Sequence, residues 1–348
     1  MALRVHSATA FDGTLETIDM HTGGEPVRIV TAGYPTVLGD TILDKRRYAL
    51  EHLDHLRRLL MFEPRGHHDM YGVIPVEPDL PEADMAVLFM HNEGYSTMCG
   101  HATIALGRYA VDHGIVEARA PWTTLNLQCP CGLVRVRVEV TETPGGHRSG
   151  AVVFESVPSF AFLIDRQVAV PGLGNVRFDI GYGGAFYALV DVNAIGLSLS
   201  GTPLADLVEA ADRITRHVAA GFPLEHPDDP ALAYLYGTIL TDGNDAFASE
   251  ATRNLCIFAE REIDRSPTGS GVCARVAVQY AKGQIAIGQS RDFESITGSR
   301  FSGAPVRSVK TGRFQGVHVE VTGRAYYSGR AQFTLEDGDS LGAGFELR

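Results

Sequence analysis

MCGHATIALGRY at positions 98–109 and PTGSGVCARVAVQ at 267–279 decide how this chain is read. Laid on one another, they set Cys99 opposite Thr268, Gly100 opposite Gly269, His101 opposite Ser270 and Ala105 opposite Ala274. In each copy a small polar residue and a glycine lead into apolar residues at helical spacing, the pattern of a helix N-terminus. Such an end carries unpaired N–H groups and a field that favours negative charge. It suits a thiolate and a bound carboxylate alike. Two such starts facing one another predict an amino- or imino-acid site, with a base in one half and something other than a thiol in the other.

The flanking sequence repeats as well. In the first half LETIDMH, PVRIVTA, YGVIPVE and ADMAVLFMH read as strands, and 44–62 reads as one helix with Leu50, Leu53, Leu56 and Leu60 inward. LNLQCPCGLVRVRVEV is strand-like with a clear period of two, and TPGGHRSG reads as a turn or a domain junction. In the second half VVFESVPSFAFLI, RFDIGYGGAFYALVD and NLCIFAE read as strands. PLADLVEAADRITRHVAAGF reads as a helix burying Ala205, Val208, Ala211, Ile214, Val218 and Ala219. IAIGQS and VKTGRFQGVHVEVTGRAYY again suit strands. The pattern favours two related domains of mixed α/β (α+β) class over a solenoid or one doubly wound sheet.

Composition narrows the partners. The chain has 348 residues, 45% of them hydrophobic, and a formal charge of −12. That balance argues against a general binder of nucleic acid or of acidic membranes, and no apolar run is long enough to span a bilayer. The start, MALRVHSATAFDG, lacks a basic region followed by an apolar core, so a cytoplasmic location is expected. The five cysteines, Cys99, Cys129, Cys131, Cys256 and Cys273, show no disulfide spacing. Cys256 and Cys273 read as core, and Cys129 and Cys131 as strand or loop thiols, because one close pair without a second is no zinc motif. His67 and His68 are adjacent and likewise complete no metal set. Gly181 to Gly184 lack nucleotide-binding spacing and read as close packing.

With MHTGGEPVRIV at 20–30, MCGH at 98–101, IGYGGAFY at 180–187 and DRSPTGSG at 264–271 in this order, the chain closely resembles the proline racemase family. The resemblance implies the diaminopimelate epimerase-like fold: two pseudo-symmetric domains, each a curved sheet around a central helix, with substrate in the cleft between them. It implies domains at 1–148 and 149–317, the first completed by returning strands in 318–348. Racemases and hydroxyproline epimerases of the family use two cysteines. Here the first matches Cys99 and the second falls on Thr268, an alcohol and a far poorer base near neutral pH. The chain therefore looks like the trans-3-hydroxy-L-proline dehydratase branch, which carries threonine there.

What the resemblance implies for the site is a catalytic pair, Cys99 and Thr268, and five substrate-binding residues, Gly100, His101, Asp264, Gly269 and Ser270. Cys99 removes the α proton of the imino acid, and Thr268 contacts or solvates the leaving oxygen. Backbone N–H groups at Gly100, His101, Gly269 and Ser270 bind the carboxylate, and Asp264 holds the ring nitrogen as a cation. Each has a plainer reading beside it: Thr268 as an ordinary cap, His101 as a structural histidine, and Asp264 as a partner of Arg265. His21 and Glu25 in MHTGGEP are read as orienting groups or an internal hydrogen-bond pair. No organic cofactor and no metal is expected, and a homodimer is compatible with the sequence. The competing functions are a cofactor-independent proline or hydroxyproline epimerase and a non-enzymatic amino-acid-binding module.

Overall fold

The computed structural model describes residues 11–347. The N-terminal stretch on which the expected cytoplasmic location rests lies largely outside them. Backbone packing separates two compact units, one running to Phe154 and resuming at Arg324, the other Glu155–Gly323.

The first unit opens with β1 (Thr14–Thr22) and β2 (Glu25–Ala32), then α1 (Ile42–His52) and α2 (Asp54–Met61). Next come β3 (Tyr71–Val76), β4 (Met85–His91), β5 (Gly94–Ser96), α3 (Gly100–Asp112), β6 (Trp122–Cys129), β7 (Gly132–Thr143) and β8 (Gly146–Glu155). The Pro144–Gly145 turn joins β7 to β8, so the unit boundary comes only at the end of β8, between Phe154 and Glu155.

The second unit contains β9 (Ser159–Val170), β10 (Gly174–Tyr182), β11 (Phe186–Asp191), α4 (Leu204–Gly221), β12 (Leu235–Thr241), β13 (Thr252–Phe258) and β14 (Glu262–Asp264). It continues with α5 (Gly269–Ala281), β15 (Arg291–Glu294), β16 (Arg300–Thr311) and β17 (Phe314–Gly323). The chain then returns to the first unit as β18 (Ala325–Thr334), antiparallel to β1 with Leu15 opposite Phe333.

Strand pairing makes the repeat explicit. In the first unit β1–β2 is antiparallel, β2–β3 parallel, β3–β4 and β4–β5 antiparallel, β4–β6 parallel and β6–β7 antiparallel. The second unit runs through the same series with β10, β11, β12, β13, β14, β15 and β16. There β17 joins β16 on one side and β9 on the other, and β9 pairs β10, which closes the strands into a ring. In each series the motif helix follows the short fifth strand. Both helices are almost wholly buried, α3 from Gly100 to Val111 apart from Arg108, and α5 from Gly269 to Gln279. A helix buried on all sides needs a sheet wrapped around it, the strand-rich wrap that the sequence pattern predicts.

Local differences have local causes. The helix expected over 44–62 breaks at Leu53, whose backbone (φ −123°, ψ 11°) ends α1 and starts α2. The break shifts the phase, so Leu50 is 52% exposed while Leu56, Leu59 and Leu60 pack beside Ile74, Leu88 and Met90. Each such buried leucine contributes about 1.5–3 kcal/mol. In α4 the buried face is Leu207, Val208, Ala210, Ala211, Ile214 and Val218, with Ala205 and Ala219 exposed at the ends. IAIGQS is not a strand: Ala286 and Gln289 bond across a turn and Gly288 takes φ +83°. Among the described residues no helix is long and apolar enough to cross a membrane.

Candidate active site

In the first unit β5 delivers the chain to Cys99, the N-cap of α3, with extended backbone (φ −141°, ψ 111°). Cys99 is 5% exposed, and its Sγ accepts the Ala102 N–H at 3.4 Å. Thr103 holds the Cys99 carbonyl through its N–H at 3.0 Å and its hydroxyl at 2.7 Å. The cap engages Ala102, so the N–H groups of Gly100 and His101 stay outside the helical ladder, as a carboxylate receptor requires.

His101 completes this half. Its Nε2 lies 3.2 Å from the Pro26 carbonyl, which only accepts, so Nε2 carries the ring hydrogen. Nδ1 then presents its lone pair to Cys99 Sγ at 3.2 Å, and the thiol S–H donates to it. Burial pushes His101 down to about 3, partly opposed by the Pro26 bond, so the imidazole is neutral. Tyr71 packs edge-on against the ring, and Thr22 Oγ1 donates to the His101 carbonyl at 2.9 Å. From MHTGGEP it is therefore Thr22 and Pro26 that touch the start of α3. Gly24 N–H donates to His21 Nδ1 at 3.4 Å, and His21 stacks on Tyr326.

The second half is built differently at the matching point. Thr268 is the N-cap of α5 but has φ +66° and ψ 92°, and its side chain makes no capping bond. A β-branched residue in this region costs about 1–3 kcal/mol, a cost concentrated at functional sites in proteins generally. Thr268 is 4% exposed, and its Oγ1 meets no partner at hydrogen-bond geometry among the described residues. The plain reading of Thr268 as a cap is thereby corrected. The positive φ turns the hydroxyl away from the helix end, so the first-turn N–H groups of Gly269 and Ser270 are uncapped. Ser270 is set by Tyr187, whose phenol lies 2.8 Å from its Oγ.

Asp264, at the end of β14, is 5% exposed, and its Oδ1 accepts the Ser266 N–H at 2.7 Å. Burial raises its pKa to about 6, opposed by the Ser266 and Thr268 side chains, the Ser266 N–H and the charge of Arg265. Arg265 itself donates to the Ile263 carbonyl at 3.1 Å.

The raised pKa has a direct consequence for stability. The folded value exceeds that of an unfolded carboxyl, so the native state binds the extra proton between about pH 4 and pH 6, and stability falls as pH rises through that window. At about 1.4 kcal/mol per pKa unit, the cost of ionised Asp264 above pH 6 is on the order of 2–3 kcal/mol. Asp264→Asn keeps an acceptor for Ser266. It is expected to be more stable than the parent by that order at pH 8 and about equal to it at pH 4. Thermal unfolding of both proteins at both pH values checks this, and a gap that does not change with pH contradicts it.

The structure thus places Cys99, Gly100 and His101 together in the first unit, and Asp264, Thr268, Gly269 and Ser270 together in the second. Sequence reading missed Pro26, Tyr71, Tyr187 and Ser266. Pro26, Tyr187 and Ser266 stand inside the quoted motifs, and Tyr71 had no such signal. The glycines of IGYGG serve packing: a Cβ on Gly183 would stand 2.2 Å from the Ser270 carbonyl, and one on Gly181 2.7 Å from that of Ala274. Strand β10 thus lies directly against α5. Cys256 and Cys273 are core, and burial pushes both Cys129 and Cys131 thiols up, the latter to about 12. Among the described residues no group of three His, Cys, Asp or Glu side chains is arranged to hold a metal ion.

Two units, each a strand-rich wrap around a buried helix that begins at a small polar residue, define the diaminopimelate epimerase-like α+β class. A methylitaconate-delta-isomerase shares the fold at a TM-score of 0.51 over 95% of this chain and 99% of that one, at 12% identity. Within the class, the chain belongs to the proline racemase family, whose model matches residues 17–346. It is 55% identical over 336 residues to a trans-L-3-hydroxyproline dehydratase of Xenopus tropicalis, covering 96% of this chain and 95% of that protein. A 3-hydroxyproline 2-epimerase of Burkholderia multivorans is 42% identical over 336 residues, covering 96% of this chain and 98% of that one. Among solved structures, a hydroxyproline epimerase from Agrobacterium vitis with bound trans-4-hydroxy-L-proline superposes at a TM-score of 0.89 and 29% identity, covering 97% of this chain and 96% of that one.

Proposed function

We propose that this chain is a cofactor-independent hydro-lyase that dehydrates trans-3-hydroxy-L-proline to 1-pyrroline-2-carboxylate. The observation that carries the reading is the inequality of the two helix starts. One offers a thiol seated on an imidazole; the other offers an alcohol released from capping. Racemisation needs a base on each face of the α carbon, whereas elimination needs one base and a route for the leaving oxygen. High identity to a relative named for this dehydration supports the same assignment.

The chemistry follows from the groups present. Backbone N–H groups at the helix starts bind the carboxylate and disperse the charge that develops beside it when the α proton leaves. Asp264 pairs with the ring nitrogen, and the cation in turn favours its ionised form. Cys99 gives up its S–H proton to solvent as substrate binds and, as a thiolate held by the Ala102 N–H, takes the α hydrogen onto Sγ. The C2–H electrons form the C2=C3 bond and the C3–O bond breaks. Thr268 Oγ1–H donates a hydrogen bond to the departing oxygen, which leaves as hydroxide and takes up the proton that Cys99 Sγ acquired, giving water and restoring the thiolate. The enamine, 2,3-dehydroproline, tautomerises to 1-pyrroline-2-carboxylate. A cytoplasmic enzyme, as monomer or homodimer, fits this reading.

The second reading, a hydroxyproline epimerase, is favoured by the relative and the solved structure that carry that name. Proton NMR in deuterated water with trans-3-hydroxy-L-proline, trans-4-hydroxy-L-proline and L-proline separates the two. Dehydration predicts loss of the 3-hydroxy compound and growth of 1-pyrroline-2-carboxylate. An epimeric product, or α-deuterium exchange without water loss, rejects dehydration in favour of epimerisation. Binding with neither reaction leaves an amino-acid-binding module.

A further inference from the structure

The Thr268 hydroxyl depends on a backbone conformation that threonine avoids, and the second unit contains the device that imposes it. The Pro267 carbonyl accepts from Asn254 Nδ2 at 3.2 Å, and the Thr268 N–H donates to Ser266 Oγ at 3.1 Å. These two atoms are opposite ends of one peptide plane, so the two bonds fix its rotation and with it ψ of Pro267 and φ of Thr268. Asn254 is clamped in turn. Its Oδ1 accepts from Arg275 Nη1 at 3.1 Å, and since a guanidinium only donates and a carbonyl only accepts, the amide has one satisfactory orientation.

Arg275 is the rigid end of this chain. It lies two helical turns beyond Thr268 in α5, is 1% exposed, and donates through Nη2 to Asp245 Oδ1 at 2.9 Å and to Thr252 Oγ1 at 2.8 Å. Its guanidinium sits 5.0 Å from the centre of the Phe293 ring. Gln279 Nε2 binds the same Asp245 oxygen at 3.2 Å. Nε meets no hydrogen-bond partner among the described residues, so the guanidinium is held through Nη1 and Nη2 alone; because a buried charge that loses a further bond is costly, this network has little freedom to shift. In the first unit the position matching Arg275 is Leu106, and Cys99 there has ordinary extended backbone that needs no brace.

We propose that Asn254 and Arg275 are positioning residues for the reaction, holding the Thr268 hydroxyl in place by pinning the Pro267–Thr268 peptide. The inference rests on the proposed role of Thr268 in hydroxide departure. Releasing the peptide lets Thr268 relax to negative φ and turn its side chain toward the helix end, while Cys99 in the other unit is untouched. Proton abstraction then continues and elimination falters.

The test is the ratio of α-deuterium exchange in residual trans-3-hydroxy-L-proline to 1-pyrroline-2-carboxylate formed, measured in deuterated water for the full chain. Asn254→Ala and Arg275→Met are expected to raise it about tenfold or more, the scale of a small misplacement of a reacting group. Thr252→Val, which removes one acceptor of Arg275 without stranding a charge, gives a smaller rise and serves where the larger changes prevent folding. A purely structural role lowers exchange and elimination together and leaves the ratio unchanged. Thr268→Val is the control. If it raises the ratio and the folded network variants do not, the brace is overturned. If Thr268→Val leaves the ratio unchanged, the role of Thr268 itself fails.

Discussion

Cys99→Ser is expected to lower turnover of trans-3-hydroxy-L-proline by about a thousandfold, within the range spanned by loss of a general base. Serine is slightly smaller, accepts the Ala102 N–H as a better helix cap than cysteine, and donates to His101 Nδ1 as the thiol does. Folding and substrate affinity are therefore retained. The loss falls on the proton transfer, because an alcohol is not ionised near neutral pH. Calorimetric titration with substrate and NMR of product formation separate the two quantities. Turnover close to that of the parent protein removes Cys99 from the role of base.

Thr268→Val moves stability and activity in opposite directions. Valine keeps the shape and the φ preferences of threonine and loses only the hydroxyl. Thr268 Oγ1 is buried, caps nothing and meets no partner at hydrogen-bond geometry among the described residues, so at pH 4, where Asp264 is protonated and draws nothing from it, its removal is expected to stabilise the fold by about 1 kcal/mol. Dehydration is expected to fall by about a hundredfold, the loss typical of one donor aimed at a developing oxyanion. Asp264 loses a neighbour that lowers its pKa, so it is held protonated to higher pH. Thermal unfolding and product NMR on one preparation give both numbers. A destabilised variant with unchanged activity reverses the assignment and returns Thr268 to ordinary structure.

The tandem helix starts, and hence the repeat, were legible in the sequence because they are short-range features. A small polar residue, a glycine and an apolar helical stripe act over three or four residues, whereas the burial of Arg275 and Gln279 in α5 is not written in that stripe. Cys99 caps within its own turn, as such a pattern predicts. The break at Leu53 and the turn at IAIGQS were illegible, because both patterns look continuous in one dimension. Gly288 was the single local hint at the second.

The sequence by itself determined the two helix starts, the exchange of a thiol for an alcohol between them, and the membership of Asp264 in the second motif. Only tertiary structure decided what those groups are. His101 has its tautomer set by Pro26, 75 positions away, and Ser270 is fixed by Tyr187, 83 positions away. Thr268 has its backbone pinned through Asn254 and Arg275, which come from a strand and a helix. The physical reason is that protonation state, tautomer and a positive φ are set by burial and by the partners that the fold brings to each atom, which no pattern along the chain encodes.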